Sequence, residues 1–102
     1  MSLPRKASVP MPKKKHRPPT HPGEILWKEF LEPLNVSQVE PAKSLGVPVQ
    51  RINTLINGKR GVTAETALLL AERFKTTPEL WMNLQTAWDL HEAAQGLRHA
   101  SA

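Results

Sequence analysis

Six of the ten prolines stand in the first 22 residues, at Pro4, Pro10, Pro12, Pro18, Pro19 and Pro22, and this placement decides which part of the chain can fold. Proline fixes φ and removes a backbone donor, so it denies the segment helix interiors and sheet ladders. The same stretch carries the basic run Lys13-Lys14-Lys15-His16-Arg17 and almost nothing apolar to bury. Together these features predict an extended tail over residues 1–20. It reads either as a solvated leader or as an arm lying along phosphates or in a minor groove, adding affinity with little sequence choice.

Charge divides the chain in the same place. Six of the 14 basic residues fall in the tail with no acid beside them, while the other eight meet nine acids, so residues 21–102 are close to neutral at −1. Within that body, residues 36–62 hold Lys43, Arg51, Lys59 and Arg60 against Glu40 alone, a local +3 between flanks of −2 each. A folded basic patch of this kind points to an anionic partner. The chain has no cysteine, which excludes disulfide scaffolds, thiolate zinc sites and Cys nucleophiles and suits a reducing, cytoplasmic setting. No apolar run approaches the roughly 18 to 20 residues of a membrane span, and no apolar stretch follows the basic N-terminus to make a signal peptide. A membrane partner is therefore not expected.

From Pro22 onward the apolar spacing is helical and the punctuation marks five helices. The first opens on Pro22, carries Ile25, Leu26, Trp27, Phe30 and Leu31, and stops by Pro33. Ser37, with Glu40 three residues later, forms a candidate capping box for a second helix that ends at Gly46. A third runs from Val49 to Ile56 and closes at Asn57-Gly58. Thr63 caps the fourth, whose apolar face is Ala67, Leu68, Leu70, Ala71 and Phe74. Thr77 caps the fifth, with Pro78 at its first position, and this helix runs through Leu80, Trp81, Leu84, Trp88 and Leu90 to about Gln95, leaving residues 96–102 as a frayed end. Trp27 is expected in the core, while Trp81 and Trp88 share a face of the last helix that suits core or interface. The expected organisation is a tail over 1–20 and one all-α domain over 21–95.

The stretch from Gln38 to Leu55 carries the sharpest signal. Two helices pack near a right angle across a three-residue turn only where the contact point is small, which Ala42 supplies, and where the turn tolerates positive φ, which Gly46 supplies. Val47, Ile52 and Leu55 then fall inward, while Val49, Gln50, Arg51, Asn53 and Thr54 lie at the N-terminal end or outer face of the second of these helices. This is a helix-turn-helix pattern. Such a helix enters a major groove N-terminus first, which makes those five residues the candidate base readers. Gln50 suits adenine, Arg51 guanine or a phosphate, and Val49 or Thr54 a thymine methyl. Asn57, Lys59 and Arg60, in the following loop, are candidate phosphate contacts.

His21-Pro22-Gly23-Glu24-Ile25-Leu26, Leu31-Glu32-Pro33-Leu34, Asn57-Gly58-Lys59-Arg60-Gly61, the Thr63–Leu70 stretch and the run from Pro78 to Gln85 resemble HigA-type antitoxins, within the wider lambda-repressor-like, XRE-type group. The resemblance covers roughly residues 18–95 without an evident gap. It implies a five-helix lambda-repressor-like helix-turn-helix domain, here with an extended basic N-terminal tail. It also implies a homodimer that binds the double-stranded operator of its own operon and neutralises a RelE-like ribonuclease toxin encoded beside it. Gln38 matches a family position that meets a phosphate, and a helix N-terminus there favours an anion as well. Two positions depart from the family: Pro41 stands where a leucine is usual, and Pro48 where a Ser or Thr cap precedes the recognition helix. Pro41, at about the fourth helical position, is expected to remove one apolar contact, and Pro48 a side-chain cap. The alternative reading is a stand-alone repressor with no toxin.

No catalytic constellation accompanies these features. His91-Glu92-Ala93-Ala94-Gln95 resembles the helical zinc motif HExxH, but Gln95 replaces its second histidine. His16 and His21 are expected with the tail and His99 in the frayed end, so no metal cluster assembles. The sequence predicts no enzyme, no cofactor and no metal.

Overall fold

A computed structural model gives the fold of residues 18–101, with side chains described through residue 98. The tail reading lies outside the described residues up to residue 17, as does the His99 side chain. Five helices follow in the expected order, and no strand occurs among the described residues. The first, α1, opens as an α-helical turn, Pro22–Ile25, and continues as a π-helical segment, Leu26–Leu31. Then come α2, Val39–Leu45, and α3, Val49–Ile56. The last two are α4, Ala64–Phe74, and α5, Pro78–Ser101.

The wide winding of α1 has a packing rationale. Residues five apart on an α-helix lie about 140° apart around its axis and cannot share one buried face. Here Leu26 and Leu31 are both fully buried, and the five-residue bond from Glu32 N–H to the Trp27 carbonyl (2.8 Å) marks the widened winding, while Asn35 at φ 59° closes the segment with Val36 N–H on the Leu31 carbonyl (2.8 Å). The core they enter joins Leu45, Ile52, Leu55, Leu70 and Phe74 to the fully buried Trp81, with Phe30 tilted between the rings of Phe74 and Trp81 at 5.3 and 5.5 Å. Trp81 keeps its indole N–H satisfied on Thr76 Oγ1 at 2.8 Å. Trp27 and Trp88 are half-buried.

Several local expectations change. Ser37 does not cap α2. Gln38 occupies that place with helical backbone and no side-chain cap, and the Glu40 side chain turns to Arg73 of α4, accepting hydrogen bonds of 2.6, 3.0 and 3.1 Å. A forked charge-assisted pair outcompetes a single backbone donor, and the guanidinium holds the Glu40 carboxyl below the usual glutamate value. Pro41 is the third residue of α2, where the missing N–H has no helical acceptor to lose, and it is itself fully buried in the core. Leu68 lies off the buried stripe of α4 and is 60% exposed, leaving Ala67, Leu70, Ala71 and Phe74 on it. Thr63 caps α4 by accepting from Thr66 N–H at 3.2 Å, and Thr77 caps α5 by accepting from Leu80 N–H at 3.2 Å. The last helix continues six residues past Gln95.

His21 belongs to the folded body rather than the tail. Its Nδ1 accepts from Gly23 N–H at 2.9 Å, capping α1, and its ring meets the edge of Trp88 at 5.1 Å. Gly23 sits where the α1 backbone touches α3: a Cβ there would stand 1.7 Å from the Leu55 carbonyl oxygen. A methyl group cannot fit without separating the two helices. We expect Gly23→Ala to cost about 3 kcal/mol or more, seen as a fall in Tm of about 12 °C or more in a domain this size.

Burial pushes the His21 imidazole below its ordinary value, against the opposing pull of the Asp89 and Glu24 carboxylates. Because the unfolded chain then binds this proton more tightly, the contribution of His21 is complete above the ordinary histidine value of 6.5 and declines as pH falls below it. Protonation also removes the Nδ1 acceptor that caps α1. Tm should therefore fall between about pH 7 and pH 5, and His21→Asn, whose amide caps without titrating, should flatten that slope in thermal melts.

Candidate nucleic-acid interface

The turn into α3 is set by two residues. Gly46 takes φ 73°, while Val47 N–H reaches the Ala42 carbonyl at 2.9 Å and Gly46 N–H the Lys43 carbonyl at 3.2 Å, closing α2 with its last carbonyls satisfied. Pro48 follows in extended conformation and starts α3 without a side-chain cap, its carbonyl accepting from Arg51 N–H at 2.9 Å. With Ala42, Ile52 and Leu55 buried and Val47 half-buried, α3 is rotationally fixed. Val49, Gln50, Arg51 and Asn53 are left exposed, and Thr54 half-exposed.

The nine candidate residues fall into two groups and two single positions. Gln50, Arg51, Thr54 and Arg60 line a shallow trough of about 260 Å³ with Pro48, and no carboxylate lines it. Thr54 Oγ1 donates to the Arg51 carbonyl at 3.0 Å, so its hydroxyl is engaged within the helix. Gln38, Asn53 and Asn57 form a chain of amides: Asn53 Nδ2 donates to Gln38 Oε1 at 3.4 Å, and Asn57 Nδ2 donates to Asn53 Oδ1 at 3.2 Å. This chain ties the start of α2 to α3 and its closing turn, and leaves the Gln38 amide hydrogens free of any bond in the chain. Val49 and Lys59 are exposed and belong to neither group.

The loop after α3 is held at both ends. Gly58, at φ 75°, donates to the Leu55 carbonyl at 3.0 Å, and Lys59 N–H donates to the Thr54 carbonyl at 2.9 Å. At the far end, buried Val62 donates its N–H to Gln85 Oε1 of α5 at 2.6 Å, and Gln85 Nε2 donates to Asp89 Oδ1 at 2.9 Å. Gln85, Asp89 and the Glu40–Arg73 pair are not among the functional residues that the sequence singles out. A signal for Gln85 existed, since residues 81, 85 and 88 share one helix face and a glutamine between two tryptophans there must find partners when buried.

Among the described residues no group of three His, Cys, Asp or Glu side chains could hold a metal ion, and no helix is long and apolar enough to cross a membrane. His91 Nε2 lies 3.5 Å from the Gln95 amide. The arrangement offers hydrogen-bond donors, the Arg51 guanidinium and an apolar tip on the exposed side of α3, with the Arg60 guanidinium from the loop after it, which suits reading an anionic, grooved surface.

Comparison with known proteins agrees with this geometry. Residues 28–81 match the helix-turn-helix family. Antitoxin HigA-1 of Vibrio cholerae is 43% identical over 79 residues, covering 76% of this chain and 73% of that protein. A HigA-family addiction module antidote protein from Coxiella burnetii is 45% identical, with a TM-score of 0.73 over 78% of this chain and 87% of that one. The antitoxin GraA, solved in complex with its operator, is 40% identical, with a TM-score of 0.74 over 90% of this chain and 94% of that one. Such relatives are DNA-binding regulators and antitoxins, not enzymes. The chain belongs to the HigA-type antitoxins of the XRE, lambda-repressor-like helix-turn-helix group.

Proposed function

We propose that this protein represses its own operon by sequence-specific binding of operator DNA as a homodimer, and neutralises a RelE-like ribonuclease toxin encoded beside it in the cytoplasm. The DNA half is carried by one observation: the first turn and outer face of α3 present Gln50 and Arg51 beside Arg60 in a trough that no carboxylate lines, with Val49 exposed on the same turn. Gln50 would pair bidentately with adenine, Arg51 with guanine or a phosphate, and Val49 with a thymine methyl. Gln38, Asn57, Lys59 and Arg60 would hold the backbone on either side, with Asn53 and Thr54 completing the reading face. That the similar antitoxin GraA was solved in complex with its operator supports DNA binding as such.

The dimer is supported by α5. Its 24 residues span about 36 Å, and its second half exposes Leu90 and Leu97, an apolar face suited to a twofold copy. Twofold symmetry would set two α3 helices about 34 Å apart, in successive major grooves of an inverted repeat. The toxin half is supported by family membership and is tested genetically. Each small reading frame flanking this gene would be expressed with and without the protein. A neighbour that arrests growth alone and is rescued by co-expression establishes the toxin; flanking frames that are expressed and harmless leave the stand-alone repressor.

For the reading face, we expect Gln50→Ala to weaken binding to the promoter fragment of its own gene by at least about tenfold, with Tm unchanged because the side chain is exposed. Gel-shift titration beside a thermal melt measures both, and undiminished affinity removes Gln50 from the readers.

A further inference from the structure

We propose that Gln85, deep in α5, is a positioning residue for DNA binding that sets the place of Lys59 and Arg60 by gripping the loop that carries them; this rests on the reading of that loop as a phosphate contact. The loop is short and its two ends are unlike. Its beginning is fixed by the helix-closing bonds of Gly58 and Lys59, which any helix of this type could make. Its end has no such local support, because residues 61–63 carry no regular structure. There the Val62 N–H crosses to Gln85 Oε1, 23 residues away, at 2.6 Å in a buried setting.

The glutamine is itself oriented. Gln85 is 8% exposed, and donation from Nε2 to Asp89 Oδ1 at 2.9 Å requires its oxygen to face Val62. The loop backbone lies against this amide so closely that a Cβ at Gly61 would stand within 3.0 Å of Gln85 Nε2, Cδ and Oε1. At the loop's beginning the His21 ring lies 3.8 Å from where a Cβ of Gly58 would be, giving the loop a second wall from the start of α1. Between these supports, Lys59 and Arg60 are the exposed residues. Their backbone is thus ordered on folding, so the cost of ordering it is not incurred when phosphates bind. An interior amide that touches no DNA would in this way contribute to affinity through two cations at the surface.

The test separates this role from plain support of the fold. Full-length protein would be titrated onto the promoter fragment of its own gene over a range of salt concentrations, at a temperature where melts show each variant folded. Each phosphate contact adds about 0.9 to the slope of log K against log salt. Lys59→Ala with Arg60→Ala should flatten that slope by about one to two. Gln85→Leu, which removes both amide bonds, should flatten it in the same direction, weaken binding about three- to tenfold, and leave the preference for promoter over scrambled duplex intact. Combined with the two loop substitutions, it should add little further loss, since it acts through them. Should Gln85→Leu not fold, Asp89→Ala at an exposed position frees the amide from its orienting partner and is expected to give a smaller change of the same sign. An unchanged slope in the folded Gln85 or Asp89 variant, with the loop variant flattened, overturns the proposal and leaves the DNA reading standing. An unchanged slope in the loop variant overturns the reading of the loop, and the proposal with it.

Discussion

The contact on which this structure turns is between two backbones. Gly23 brings α1 against the Leu55 carbonyl at a distance that no other residue permits, and the recognition helix is thereby pressed from behind. The same few residues satisfy the helix they begin: Pro22 spends no donor at the first position, and His21 supplies the acceptor for Gly23 N–H. Because His21 also rests on Trp88 and beside Gly58, the N-terminal turn joins α5 and the loop after α3 in one place. Residues nearly seventy positions apart thus meet behind α3.

That back wall explains how a small all-helical body can offer a sharply defined face. The apolar core reaches from Leu26 and Leu31 through Ile52 and Leu55 to Leu70 and Trp81, so each helix is fixed by at least one fully buried side chain. Polar links sit at the edges of this core: Glu40 to Arg73 joins α2 to α4, and Gln85 to Val62 joins α5 to the loop. The Glu40–Arg73 pair, half-buried and still reached by solvent, adds little stability by itself. Its value is angular, because a forked pair between two helices restricts how they slide. What remains outside is the exposed side of α3 with the Arg51 guanidinium and its amides.

The proposed reading face divides into two kinds of chemistry. Gln50, Arg51 and Arg60 gather about one trough, free of carboxylates, which is the arrangement expected of groups that meet base edges and phosphates. Gln38, Asn53 and Asn57 bond first to one another, which fixes their spacing along the helix before any ligand arrives. Position in the sequence singles the nine candidates out one by one. It gives no sign of this grouping, because an amide's partner depends on which neighbours the turn at Gly46 brings within reach.

What the sequence by itself determined was local. The limits of α3 and the caps of α4 and α5 were legible in Gly46, Pro48, Gly58, Thr63 and Thr77-Pro78, since each acts through φ or through a donor within a few residues. The inward set of Val47, Ile52 and Leu55 followed from helical spacing about that turn. Tertiary structure alone decided the rest. The π winding of α1 arises from the need to bury Leu26 and Leu31 on one side, Glu40 leaves its expected cap for an arginine 33 residues away, and His21 and Gln85 acquire their roles only where α1, α5 and the loop converge. Spacing and capping are set by the chain's own neighbours, whereas the partner of a buried polar group is chosen by whatever the folded chain places opposite it.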